Sequence, residues 1–166
     1  PPLQRGARWL DLDVVATPAD TIAEAFIRPA QGPGYRLLPA DASGQQFMPG
    51  SPYANRRVLA SFAPTMTAQA LTRFAPIDVA PANTIARGAP LAEYVVRTRS
   101  GVAVIVHGWR VNERGWVTIG AAASETALPE AVAQAQAIND RAAGWAFALT
   151  ELDWSAFSTP LAALVE

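Results

Sequence analysis

Hydrophobic and polar positions alternate most regularly in the second half of the chain. In "VAVIVHGWRV", Val102, Val104 and Val106 fall on one side of an extended backbone, and Ala103, Ile105, His107 and Trp109 on the other. With both sides largely apolar, the pattern predicts a central strand covered at least partly on each face. "LAEYVVRTR" precedes it across "SG", which reads as a tight hairpin turn, and "GWVTIGAAA" follows after "NERG". Earlier in the chain, "TIAEAFIRP" and "YRLLPAD" read as two strands joined by the glycine-rich "AQGPG", with "QQFM" as a third, short one.

Helical periodicity replaces alternation in three places. "PTMTAQALTRF" has Pro64 suited to a first turn and Met66, Ala70, Leu71 and Phe74 at helical spacing. "LPEAVAQAQAINDRAAG" is the strongest helix: Pro129 opens it, Gly144 ends it, and Leu128, Val132, Ala135, Ile138 and Ala142 form the predicted stripe. After a short strand "WAFAL", with Trp145, Phe147 and Leu149 on one face, "LDWSAFSTPLAALV" places Trp154, Phe157, Leu161 and Leu164 at helical intervals. Thr159 and Pro160 suggest that this tail is two short helices, with Thr159 capping the second. Two periodicities meeting at one aromatic cluster point to packing, so truncating Trp145 or Trp154 is expected to cost about 3–5 kcal/mol.

The element order is strand, strand, short strand, helix, "PIDV", then three strands, helix, "WAFAL". It predicts a single α+β domain over residues 1–166, an antiparallel sheet with helices packed on one face. Two βββα repeats, spanning 20–80 and 90–150, are a further expectation. The stretch "PGSPYANRRVLASFAP" reads as a long loop, and "APIDVAPANTIARGAP" as a proline-punctuated connector.

Composition sharpens this picture in few respects. Of the 51% apolar residues, 35 are alanine, so each large side chain carries unusual packing weight. The net charge of −1 offers no overall attraction to nucleic acid, and all 13 basic residues are arginine. Without cysteine the chain has no disulfide, thiolate metal site or cysteine nucleophile. The longest apolar run, "GVAVIV", is strand-sized rather than membrane-spanning. The methionine-less start "PPLQRG" leads us to expect the C-terminal piece of a longer, membrane-anchored protein.

Candidate chemistry is sparse. His107 is the single histidine, and a Ser-His-Asp hydrolase would have to use it, but no G-x-S-x-G elbow accompanies it. Asp11 and Asp13 in "WLDLD" are too few for a hard-cation site and suit capping or turn duties, so no metal is expected. "GPG" at 32–34 lies between strands, where a hairpin turn is favoured over a phosphate cradle. Arg28, Arg36, Arg97 and Arg99 fall on predicted strands and form the one candidate binding surface, an arginine-lined face for an anionic group or acidic partner. Pairing with Glu24 and Glu93 on a solvated sheet face is the plainer reading of the same residues.

Several landmarks together resemble a bacterial domain family found beside Gld-type gliding-motility and ABC-transporter auxiliary proteins. They are "WLD" at 9–11, "IAEAFI", "YRL", "IDV" at 77–79, "RTRSG", Trp116, "GWAF-x-L" and Trp154 with its leucine-rich tail. The resemblance implies a non-enzymatic, extracytoplasmic interaction domain anchored upstream in the inner membrane and partnered by an ABC-type permease or auxiliary protein. It carries over no catalytic residue and no cofactor. A small-molecule or glycan binder, with a groove lined by Trp109, Trp116 or Tyr94, is the alternative, and a hydrolase centred on His107 is a third.

Overall fold

A computed structural model describes residues 22–166. The expectations for Trp9, Leu10, Asp11, Leu12 and Asp13 therefore lie outside the described residues. β1 (Ile22–Arg28), β2 (Tyr35–Pro39) and β3 (Phe47–Pro49) come first, then α1 (Ala63–Ala68), a 3-10 turn at Ala70–Arg73, β4 (Asp78–Pro81) and α2 (Ala82–Ile85). The second half runs β5 (Ala92–Thr98), β6 (Val102–Val111), β7 (Arg114–Ala123), α3 (Pro129–Ala142), β8 (Trp145–Ala148), α4 (Glu151–Phe157) and a closing 3-10 turn at Leu161–Ala163.

All eight strands join one antiparallel sheet in the order β3-β2-β1-β5-β6-β7-β8-β4. The class is therefore α+β. The element order of the two halves matches, but the halves are not equivalent units. β4 leaves the strands that precede it and pairs with β8 at the far edge, Asp78 opposite Ala148. α1 also has six residues where α3 has fourteen. Both sheet edges are short and proline-bearing, with Pro49 on β3 and Pro81 on β4, which discourages pairing with another chain.

The helices α1, α3 and α4 cover one face. Beneath them the alternate positions Ile27, Leu37, Tyr94, Val96, Val104, Val106, Ile119 and Phe147 are buried. Aromatic edges lock this layer: Phe74 meets Phe147 and Phe157 edge-on, and Tyr94 meets Phe157 at 5.0 Å between ring centres. Trp154 lies over Gly108 and Gly115 of β6 and β7, so close that a methyl at Gly115 would sit 2.5 Å from its ring.

Three helical expectations need correction. On α3 the buried stripe is Ala131, Ala135, Ile138 and Ala142, whereas Leu128 and Val132 face solvent. On α1, Met66 is exposed, and Thr67 and Ala68 turn inward. In the tail, Thr159 does not cap the last turn, since its hydroxyl donates back to the Ser155 carbonyl. Thr150 is the residue that caps α4, accepting from the Asp153 N–H at 3.1 Å. Gly144 follows α3 with a φ of 82°, the left-handed stop expected from its position.

Polar groups inside this layer have defined tasks. The Tyr94 hydroxyl lies 2.8 Å from the carbonyls of both Thr67 and Ala68, satisfying the C-terminal end of α1. Tyr35 donates to Thr159 and ties the tail to β2. Burial holds both phenols well above their ordinary range. The folded chain keeps these protons when the unfolded chain starts to release them near pH 10. Their stabilising contribution is therefore complete below about pH 10 and declines as pH rises beyond it. Tyr94→Phe is expected to lower stability at pH 7 by about 1–2 kcal/mol and to flatten the loss of melting temperature above pH 10. A decline as steep as in the wild type would assign the alkaline loss to other groups.

β8 pairs with β7 at Trp116 and Val117, and among the described residues no strand neighbours the later part of β7 on that side. Asn139 of α3 substitutes for one there. Its carboxamide accepts from the Ala121 N–H and donates to the Ala121 carbonyl, both at 2.8 Å. Asn139→Asp places an acceptor against that carbonyl, and is expected to cost about 2 kcal/mol at pH 7 against about 1 for Asn139→Ala. The Asp variant should recover relative to the Ala variant in acid, where protonation restores the donor. Equal stabilities across pH would show that the clamp is not energetically important.

Candidate functional site

Among the described residues, the face of the sheet opposite α1, α3 and α4 is covered by α2 alone, at the β7–β8–β4 end, where Ile85 packs with Trp116, Ala146 and Ala148. Trp109 and Val111 join this small cluster, and the Trp109 indole N–H reaches the Gly88 carbonyl at 3.4 Å. Among the described residues no helix is long and apolar enough to cross a membrane.

Strand register places the remaining side chains in rows across the sheet. One row is Arg36, Phe26, Val95, Ile105 and Gly120. Beside it runs Arg28, Glu93, His107 and Thr118, and on the other side Glu24, Arg97, Ala103 and Ala122. Phe26, Val95 and Ile105 are half-buried, and Phe26 rests on Gly34 of the β1–β2 connection. An apolar band thus crosses the middle of the face with charges along both margins.

Three of the four arginines expected to form a binding surface do share this face. Arg28, Arg36 and Arg97 occupy it, whereas Arg99 lies in the β5–β6 turn, off the sheet. The glutamates are interleaved with them. Arg28 lies 3.8 Å from Glu93 and Arg36 lies 3.6 Å from Glu24. Glu93 also faces His107, with Nε2 at 3.3 Å from the carboxylate. The face is therefore a mixed-charge surface rather than an arginine field. Each of these exposed pairs contributes little to stability, about 0–1 kcal/mol.

His107 has a carboxylate neighbour but, among the described residues, no serine or threonine hydroxyl hydrogen-bonds to it. The triad that a His107-centred hydrolase needs is thus not assembled here. Of the aromatics expected to line a ligand groove, Trp109, Trp116 and Tyr94, two are not exposed on the arginine-bearing surface. Trp116 is buried beneath α2, and Tyr94 points to the helix-covered face. A crevice on that helix side, between Tyr94, Val106, Gly108, Val117, Trp154 and Phe157, measures about 10 Å³. That is roughly room for a single water.

Sequence reasoning passed over the apolar band, and with it a pattern common to the adjacent strands β1 and β5. β1 reads Glu24-Ala-Phe-Ile-Arg28 and β5 reads Glu93-Tyr-Val-Val-Arg97, each with Glu and Arg four apart and on one face. Aligning the strands by their Glu and Arg positions would have exposed it. Among the described residues no group of His, Asp and Glu side chains converges as a metal site. Comparison of the chain with protein-family models, curated proteins and solved structures returns no match.

Proposed function

We propose that the chain is a protein-interaction domain that docks through the face of its sheet opposite α1, α3 and α4. The observation that carries this reading is a broad face on which an apolar band, Phe26–Val95–Ile105, runs between margins of mixed charge. Such a surface has the anatomy of a protein interface, an apolar centre with a polar rim. The setting rests on the sequence resemblance alone: the outer side of an inner membrane, beside an ABC-type transport system. In that setting the partner is a permease or auxiliary subunit, and the domain acts by holding components together rather than by catalysis.

Site-specific photocrosslinking in native membranes tests the reading. A crosslinking amino acid at Val95 or Thr118, on the open face, is expected to give adducts whose partner mass spectrometry identifies as a transporter subunit. The same amino acid at Leu152, exposed on the helix side, should give none. Adducts confined to Leu152, or no adduct from either side, would remove the proposal.

A further inference from the structure

The charges that flank the apolar band on β1 and β5 form a checkerboard. Glu24 stands opposite Arg97 and Arg28 opposite Glu93, with Phe26 and Val95 between them. A two-fold rotation about an axis running along the strands, midway between β1 and β5, brings a second such face onto the first. It sets every Glu over an Arg. Glu24 meets Arg97 of the other copy, Arg28 meets Glu93, Phe26 meets Val95, and Arg36 projects over Ile105. This self-complementarity follows from the shared E-x-x-x-R spacing of the two strands, which places a Glu opposite an Arg in both cross-strand pairs.

We propose that this face is an isologous docking surface for a second copy of the chain, the two sheets stacking with β1 of one over β5 of the other. The proposal rests on the docking reading above and gives the same face a second copy as its occupant when no transporter subunit is bound. Sheets stacked this way lie about 10 Å apart, and an axis along the strands keeps β1 of one copy aligned with β5 of the other. The four strands that overlap about this axis, β2, β1, β5 and β6, at about 4.8 Å spacing and seven residues of length, give a face of roughly 460 Å². The total burial of about 900 Å² falls in the range of weak, transient complexes. The dimer is accordingly one that dissociates in the micromolar range rather than an obligate one. Because its rim charges remain near solvent, raising salt from about 50 to 500 mM should weaken it about tenfold.

Two charge-inverted variants test the geometry by sedimentation or light scattering on the full chain. Glu24→Arg with Glu93→Arg makes the four-charge cluster wholly positive, and Arg28→Glu with Arg97→Glu makes it wholly negative. The wild type is expected to shift from monomer to dimer across about 1–300 μM. Each variant alone should associate at least tenfold more weakly, and an equimolar mixture of the two should restore the dimer. Circular dichroism and melting of each variant separate misfolding from lost association, and restoration in the mixture is itself evidence of folded faces. A wild type monomeric throughout, variants that dimerise like the wild type, or a mixture that fails to associate would overturn the proposal. Crosslinks from Val95 to a transporter subunit would then leave the docking reading standing, whereas their absence as well would remove both.

Discussion

Trp154→Ala is expected to destabilise the protein by about 3–5 kcal/mol, and Trp145→Ala by less than about 1 kcal/mol. The contrast comes from their surroundings. Trp154 is 6% exposed, whereas Trp145 is 46% exposed at the first position of a four-residue strand. The Trp154 indole is the spacer between α4 and the two longest strands, and Phe157 from the next turn of the helix extends the same contact. Arg110 closes its outer side, with the guanidinium carbon 5.6 Å from the ring centre and an ion pair to Glu151 at 3.0 Å. Small side chains on both strands cannot collapse into the volume an indole leaves, so the cavity cost adds to the lost transfer energy. In a chain of this size the loss corresponds to a fall in melting temperature of roughly 8–16 °C. Sequence periodicity had made the two tryptophans equivalent packing residues, and Trp145 is the one the structure removes from that role. Denaturant unfolding of both variants would decide it, and equal losses would contradict the difference in burial.

Gly115→Ala is the second large effect, and its sign is opposite to what a strand position normally shows. Replacing glycine by alanine in a strand usually removes an entropic penalty and stabilises slightly. Here the added methyl would lie 2.5 Å from Cε3 of Trp154, and at Gly108 it would lie 2.7 Å from Cζ3 of the same ring. The indole is held between two strands and a helix, so it cannot move aside cheaply. We expect a loss of about 2–3 kcal/mol for either substitution. The decisive measurement is a double-mutant cycle. In the Trp154→Ala background the methyl has room, so Gly115→Ala should cost close to nothing, giving a coupling of about 2 kcal/mol. Additive losses would mean that the glycine serves the backbone rather than the ring.

The sequence was most legible where local pattern decides structure. The β5–β6–β7 meander follows from alternation and short turns, and Pro129 and Gly144 bound α3 closely. Which side of that helix turns inward was not legible, because the stripe was traced through Leu128 and Val132 while the core is lined by alanines. With 35 alanines in the chain, methyl groups build much of the interior and the larger residues mark it poorly. Met66 misleads in the same way. The destination of β4 was also hidden, since nothing in four residues specifies a partner strand so far along the chain. Of the candidate surface, Arg28, Arg36 and Arg97 were placed by strand alternation. Arg99 was not, because it falls one residue beyond the strand end, in the turn.

The position of β4 has a consequence for how the chain is made. Synthesis proceeds from the N-terminus, and β4 leaves the ribosome long before its hydrogen-bonding partner β8 has been translated. During that interval Val79 has no layer to enter, because Phe147 opposite it does not yet exist. The first half of the chain therefore waits with its last strand unplaced, and the sheet closes only when the C-terminal segment arrives. A nascent chain arrested before residue 145 should remain sensitive to protease around β4, and become resistant once β8 has emerged.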